Sequence, residues 1–492
     1  MAQQKYLMQQ AISAGHQKTL DTAKEILHAG GNAFDAAIAA HLTMFVAEPC
    51  MASAGGGGFA MTFRPEYGMR FVDFFCHTPR QKIGAEKSEF YPIEVDFGKD
   101  TEQFFIGAGS VATPGTMAGL FHLQANFGSM PFKELAAIPM QHAKEGVAVD
   151  KFHAIDFGLL QPILSHHQEG RDIFCHSDAM KKEGDIIELP QMHDFLEFMI
   201  SEGRDGFYHG EIGAQIAAQQ AEKNGLLTRA DFENYQVHET KPLSFDYRSQ
   251  RIHTASYPSL GGIILANYLA SVQAHSKSQT IKRLVKNLLD INYQVGAFDK
   301  HYDSSNLSIW KGNISTKGTS HFNILDKWGN AIALTTSIGE GNGTFIKGTQ
   351  MQLNNMLGEL FLLPHGAHSW LANQRLNSMM TPTMVTDHRD DLKMILGSGG
   401  ASRIPFALGQ GLQYVYEDHL SLEEAIEAPR MHFHDQKLQA EFPAAIKGDS
   451  IKDVKFWEQK HMFFGGINAI QKLSKTCYAH ADSRRYGSAE VF

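Results

Sequence analysis

Four consecutive glycines, Gly55 to Gly58, precede Phe59 and the strand-like run Ala60-Met61-Thr62-Phe63. Glycine gives up more chain entropy on ordering than any other residue, so such a run marks a place where backbone must approach another group closely. A phosphate cradle is one use for it, but no GK[ST] ending is present and no helix follows the glycines. Upstream, helices alternate with glycine stops. Thr19 to His28 carries a helical pattern ended by Gly30-Gly31, and Asn32 caps a second helix from Ala33 to Ala47. Ala36, Ala37, Ala39 and Ala40 suit that helix to tight packing on a sheet, and Pro49 stops it.

Residues 110 to 240 read mostly as helices, among them Thr116 to Phe127 and Asp194 to Glu202. The character changes near residue 319. His321 to Leu325 reads as a strand, Asp326 to Asn330 as a turn and Ala331 to Ser337 as a return strand, with Thr319 just before the hairpin. Further on, Lys393 to Leu396 is a strand, Gly397 to Ser402 a loop and Arg403 to Tyr416 a helix. Ser421-Leu422-Glu423-Glu424 opens another helix with a capping box.

Composition excludes several classes. An apolar fraction of 43%, with 33 Phe and 20 Met, supplies a large core and argues against a disordered scaffold. The formal charge of −9 repels phosphates, and the basic cluster from Lys277 to Lys286 reads as a solvated helix face, so no nucleic-acid partner is expected. Four cysteines, Cys50, Cys76, Cys175 and Cys477, lie far apart with no CxxC pair and read as free thiols. His166-His167 and His432-Phe433-His434 lack the carboxylate or cysteine spacing of a metal site, so neither metal nor cofactor is expected. No run reaches about 18 apolar residues, and the first residues do not read as a secretory signal. The expectation is a soluble, cytoplasmic protein with no membrane contact.

Two elements can carry chemistry. A threonine hydroxyl is a poor nucleophile unless a base takes its proton. Cutting the chain between Gly318 and Thr319 would free an α-amino group, with a pKa of roughly 7.7–8.0, to act as that base. Gly318 permits the tight turn that self-cleavage requires. Alone, Gly-Thr before a strand is equally an ordinary turn. The second element, Gly399-Gly400-Ala401-Ser402, follows a strand and opens a helix, so its amide N–H groups can converge on an oxyanion or merely pack.

The ordered set of motifs resembles the γ-glutamyltransferase (γ-glutamyltranspeptidase) family over nearly the whole chain. It comprises Ala29-Gly30-Gly31-Asn32-Ala33-Phe34-Asp35-Ala36-Ala37, Glu48-Pro49, Gly55 to Phe59, and Pro114 to Gly119. Further on it takes in Thr319-Ser320-His321, Asp326 to Ala331, Leu353-Asn354-Asn355, Ser378 to Thr383, Gly397 to Arg403, and Ala481 to Arg485. The resemblance implies an α+β fold, a four-layer αββα sandwich of the N-terminal-nucleophile hydrolase type. It also implies a zymogen cut before Thr319 into a large region, 1–318, and a small region, 319–492. The two pieces would stay together as a heterodimer or as a dimer of such heterodimers. Thr319 matches the nucleophile, Ser337 the second hydroxyl beside it, and Gly400 and Ala401 the oxyanion-hole residues. Ser378, Asn355, Glu359 and Phe75 fall at substrate-binding positions.

The departures bear on substrate. The arginine that the family carries after an Asp-Phe pair, where it clamps the glutamyl α-carboxylate, is Phe75 here. Its fork is charge-assisted and bidentate, which a phenyl ring cannot reproduce. Glu359 replaces an aspartate that holds the α-amino group, Met379 replaces a second serine, and Gly339 replaces an asparagine. Arg80 and Lys347 are candidates for a substitute cation. Gly339 to Gly343 reads either as a mobile rim of the substrate pocket or as a plain surface loop. The expected activity is cleavage or transfer of a γ-glutamyl or related acyl group, from an amide such as glutathione to water or an amino-acid acceptor. The alternatives are an acylase for a less polar acyl amide, as in cephalosporin acylases, and an unprocessed pseudoenzyme that only binds.

Overall fold

The computed structural model describes residues 8–82, 87–96, 101–274, 318–359, 362, 367–434, 437–441 and 454–492. Thirteen strands build two sheets. In chain order they are β1 (Ala11–Ala14), β2 (Gly57–Arg64), β3 (Gly68–Phe74), β4 (His238–Thr240), β5 (Leu243–Tyr247), β6 (Gln250–Thr254), β7 (Thr319–Leu325), β8 (Ala331–Ser337), β9 (Thr383–Thr386), β10 (Leu392–Gly399), β11 (Gly466–Leu473), β12 (Thr476–Ala481) and β13 (Ser488–Val491). The first sheet has the order β4-β3-β2-β8-β7-β1-β13, and the second β5-β6-β9-β10-β11-β12.

The sheets lie face to face, with β7 and β8 against β10, and each carries helices on its outer side. Helices α1 (Gln17–His28), α2 (Ala33–Ala47) and α3 (Thr116–Phe127) cover the first sheet. Helices α4 (Leu260–Ala274) and α5 (Ile404–Tyr416) cover the second. This is the four-layer αββα arrangement anticipated from the sequence.

Strand alternation produces the two cores. Phe322, Ile324, Ile332 and Leu334 face α2, whose residues are all buried, while Leu325, Ala331 and Ala333 face Ile395 and Ile470 of the opposite sheet. Strands buried on both faces read as near-continuous apolar runs, and β7 and β8 have no exposed residue. Asn32 caps α2 as expected, in a capping box with Asp35, and Asp35 also accepts hydrogen bonds from Ser129 and Met130.

Some sequence boundaries shift. Thr319 is the first residue of β7 rather than lying ahead of it, and it pairs with Ser337. Gly397 to Gly399 continue β10 instead of forming a loop, because Gly399 pairs with Gly466 of β11. The four-glycine run is explained by crowding: a Cβ on Gly56 would lie 2.6 Å from the Ser337 carbonyl oxygen, and one on Gly57 2.8 Å from the Cys76 nitrogen. Cys50, Cys76, Cys175 and Cys477 are free thiols. Among the described residues no helix is long and apolar enough to cross a membrane. The Lys277–Lys286 cluster lies outside the described residues.

The terminal motif folds into a buried ionic cluster. Arg430 donates to Asp482 Oδ2 at 2.6 Å and Arg484 to Asp482 Oδ1 at 3.1 Å, with Glu441 as the second partner of Arg484. Burial pushes the Asp482 carboxyl up, but Arg430, Arg484 and two backbone N–H groups outweigh it and hold it below 3.8. Its stabilising contribution is therefore complete above the ordinary aspartate value and is lost as pH falls through the lowered folded one. Asp482→Asn leaves two buried guanidinium groups short of a counter-charge. Urea denaturation of this variant at pH 7 is expected to show a loss of about 3–5 kcal/mol.

Candidate active site

Thr319 stands at the edge of a narrow cleft between the two sheets, 6% exposed. Its Oγ1 donates to Ser337 Oγ at 3.4 Å, and Ser337 Oγ donates to the Gly318 carbonyl oxygen at 2.5 Å. The Gly339 N–H donates back to Ser337 Oγ at 3.0 Å, which fixes the serine rotamer. The Ser337 hydroxyl thus bridges the threonine hydroxyl and the carbonyl of the peptide bond preceding it. Gly318 can only be glycine, since a Cβ there would overlap the Gly339 carbonyl oxygen.

The threonine backbone is clamped from behind. Arg485 Nη1 donates to the Thr319 carbonyl oxygen at 2.9 Å. Next in the chain, Ser320 points to the helical layer and donates to Glu48 Oε2 at 2.5 Å, while Thr19 donates to Glu48 Oε1 at 2.7 Å. Burial pushes the Glu48 carboxyl up, against the opposing pull of His153 and these two hydroxyls. His321 is held between Thr335 Oγ1 and Asn323 Oδ1, each at 2.8 Å, and burial lowers its imidazole to about 4. It is neutral at pH 7 and braces the interface between sheets. Arg485 and Glu48 had no assigned role in the sequence, because nothing local marks them as neighbours of Thr319.

Across the cleft, β10 ends at Gly399, whose Cα sits against the Thr319 carbonyl. Gly400 (φ +123°) and Ala401 (φ +47°) both take positive φ before the helical turn Ala401–Arg403 leads into α5. A non-glycine residue in this region stores strain, of the kind that clusters at ligand clamps. Ala401 lines the cleft; Gly400 is its immediate predecessor.

One side of the cleft is largely apolar. Phe75, Met356, Leu362, Met379, Met380 and Ile404 line it together with Ser378 and Glu359, and Glu359 is the one ionisable group among the described lining residues. Ser378 Oγ accepts from the Met380 N–H at 3.1 Å, which fixes its position. Asn355, anticipated at the substrate, is placed elsewhere: its Oδ1 accepts from the Glu340 N–H at 2.8 Å and so braces the Gly339–Glu340 turn. That turn is buried, so it is not a surface loop, and Gly339 lines the cleft.

Neither proposed substitute cation reaches the cleft. Arg80 donates to Asn373 Oδ1 at 3.3 Å on the surface, and Lys347 is exposed. The sequence did not mark Arg375, which approaches behind Phe75 from the opposite direction. Its guanidinium donates to Asp73 Oδ2 at 3.0 Å, to the Phe75 carbonyl at 2.6 Å and to the Gln236 carbonyl at 2.6 Å, with Tyr235 stacked at 4.8 Å. Arg375 therefore supports the phenyl wall and presents no charge to the cleft.

Two groups of side chains bring three potential metal ligands together among the described residues, His16/Asp150/His153 and His193/Asp194/Glu197. In the first, His16 Nδ1 accepts the Lys18 N–H, so Nε2 carries the proton facing Asp150. A metal on that nitrogen would require an imidazolate. The second group lies partly exposed on one helical surface.

Gly339 adopts φ +68°, and a Cβ there would overlap both Asn355 Oδ1 and Glu359 Oε1. The longer Glu359 side chain thus occupies the space that a side chain at 339 would need. Gly339→Ala is expected to displace Glu359 and to cost about 1–3 kcal/mol in backbone strain, read as a lowered thermal midpoint.

The gamma-glutamyltranspeptidase family model matches residues 20–289 and 268–492. The chain is 27% identical to a glutathione hydrolase proenzyme of Pseudomonas aeruginosa, across 97% of this chain and 93% of that protein. It is also 27% identical to the acylase ACY 1 proenzyme of Pseudomonas sp. (strain SE83), across 91% and 87%. Among solved structures, a cephalosporin acylase from Bacillus halodurans superposes with a TM-score of 0.82 at 20% identity, covering 99% of this chain and 96% of that one. With its two matched segments and its αββα sandwich, the chain belongs to the gamma-glutamyltranspeptidase family of N-terminal-nucleophile hydrolases.

Proposed function

We propose that this protein is a self-processing amidohydrolase or acyltransferase in which Thr319 is the nucleophile. The reading rests on the contacts around the Gly318–Thr319 peptide. Ser337 Oγ already polarises the Gly318 carbonyl at 2.5 Å and lies within reach of the Thr319 hydroxyl. Addition of that hydroxyl to the carbonyl carbon and breakage of the C–N bond free the Thr319 amine and leave an ester, which water hydrolyses to restore the hydroxyl. The amine then serves as base in turnover, with a pKa of roughly 7.7–8.0 in the absence of perturbation. Main-chain N–H groups at Gly400 and Ala401 receive the oxyanion. Purified protein is expected to run as two fragments. Thr319→Ala should remain one 54.6 kDa chain by intact mass. A single uncut chain in the unsubstituted protein would overturn the reading in favour of a pseudoenzyme.

The substrate we favour is an amide with a largely apolar acyl chain that carries an amino group and no obligatory α-carboxylate. The supporting observation is the cleft itself: Phe75 and Met379 replace carboxylate-binding groups, while Glu359 keeps an anion to face an ammonium. This is closer to an acylase than to a glutathione hydrolase. A fully desolvated carboxylate without a charged partner is penalised by several kcal/mol. The test compares γ-glutamyl, 4-aminobutanoyl and glutaryl anilides. The 4-aminobutanoyl compound is expected to exceed the γ-glutamyl one in kcat/KM by about 10-fold or more. Preference for the γ-glutamyl anilide would exclude the apolar-acyl reading and restore glutathione-type donors.

A further inference from the structure

We infer that Glu340 acts twice in maturation: it first holds the peptide that is to be cut, and its charge then drives the new chain end out of the acyl cleft. This rests on the self-processing reading above.

In the uncut chain Gly318 is itself part of the cleft wall. Three contacts hold it there. Its carbonyl accepts from Ser337 Oγ at 2.5 Å, its N–H donates to Glu340 Oε1 at 3.4 Å, and its Cα lies against the Gly339 carbonyl. Glu340 is 1% exposed, and its backbone is held by the bond from its N–H to Asn355 Oδ1 at 2.8 Å. In this state the contact is attractive.

Cleavage inverts its sign. Thr319 Oγ adds to the Gly318 carbonyl carbon, the C–N bond breaks, and the hydroxyl proton passes to the Thr319 nitrogen, leaving an ester and an amine. One water then hydrolyses the ester, restores the hydroxyl, leaves Gly318 as a carboxylate and releases one proton to solvent. The carbonyl that was neutral has become an anion. Its carbon is no more than about 6 Å from Glu340 Oε1, given the 3.4 Å contact and one intervening Cα. Two buried carboxylates at that separation repel strongly. Arg485 is the nearby cation, but it is shared among Asp156, Glu340, Asp482 and Glu48. The Thr319 amine adds a positive charge only when protonated, and it acts as base in its neutral form. Ejection of Gly318 clears space in a cleft too narrow to hold both the chain end and a substrate.

The test uses cut wild-type protein and two synthetic peptides, Ser315-Thr316-Lys317-Gly318 as the free acid and as its C-terminal carboxamide. The carboxamide is expected to inhibit anilide hydrolysis competitively, with an inhibition constant about tenfold or more below that of the acid. Glu340→Gln retains an acceptor for the Gly318 N–H, so it should still be cut. It should show a raised KM for the anilide at little changed kcat, and its two peptide constants should converge. Trimming its new chain end with a carboxypeptidase should restore the KM. Equal inhibition by both peptides in cut wild-type protein overturns the inference whether or not the variant folds. A folded Glu340→Gln that stays uncut, or that is cut with the wild-type KM, overturns it as well. Failure of the wild-type chain to cut is a separate outcome, which removes the processing reading underneath.

Discussion

Everything at the site depends on the Thr319–Ser337 pair at the open end of a hairpin whose strands are buried on both faces. Pairing across β7 and β8 sets the two hydroxyls side by side. The backbone around them then comes close enough that side chains are excluded at Gly56, Gly318 and Gly339. The absence of those side chains is what lets one serine hydroxyl contact the Thr319 hydroxyl, the Gly318 carbonyl and a loop N–H together. A bulkier backbone at any of the three positions would separate groups that act only at hydrogen-bond range.

Electrostatics divides the molecule around this pair. On the Phe75 side, Arg375 is held by Asp73 and two carbonyls, and Glu359 is the one ionisable group among the described lining residues of the cleft. Behind the nucleophile, Arg485 grips the Thr319 carbonyl, and Glu48 is tied by two hydroxyls. The two cations are thus used for positioning, and neither presents its charge to the cleft.

Local pattern explains what could be read from the sequence. The β7–β8 hairpin was visible because its turn, Asp326 to Asn330, is held mainly by local bonds, with Asp326 accepting from Trp328 and Asn330. Helix α2 was visible through its cap and its unbroken small and apolar composition. Thr319, Ser337, Ala401, Ser378, Glu359 and Phe75 were named from motif order, and the fold brings all six to one cleft. Asn355, named with them, lies next to the cleft wall rather than in it, because its amide oxygen is taken by the Glu340 N–H. Arg375 and Arg485 went unrecognised for a different reason. Their partners lie 302 and 166 residues away, and no periodicity encodes a contact across such a distance.

The strand order has a consequence for any molecule cut before Thr319. In the first sheet, β1 from the leading segment lies between β7 and β13 of the trailing one, while β8 lies beside β2 of the leading one. The second sheet joins β6 to β9 across the same divide. Two such fragments are interlaced like fingers of clasped hands, and parting them would strip backbone hydrogen bonds from the middle of both sheets. Severing the chain therefore changes its covalent topology without creating separable subunits. Dilution alone, which dissolves ordinary pairings, has no grip on this one.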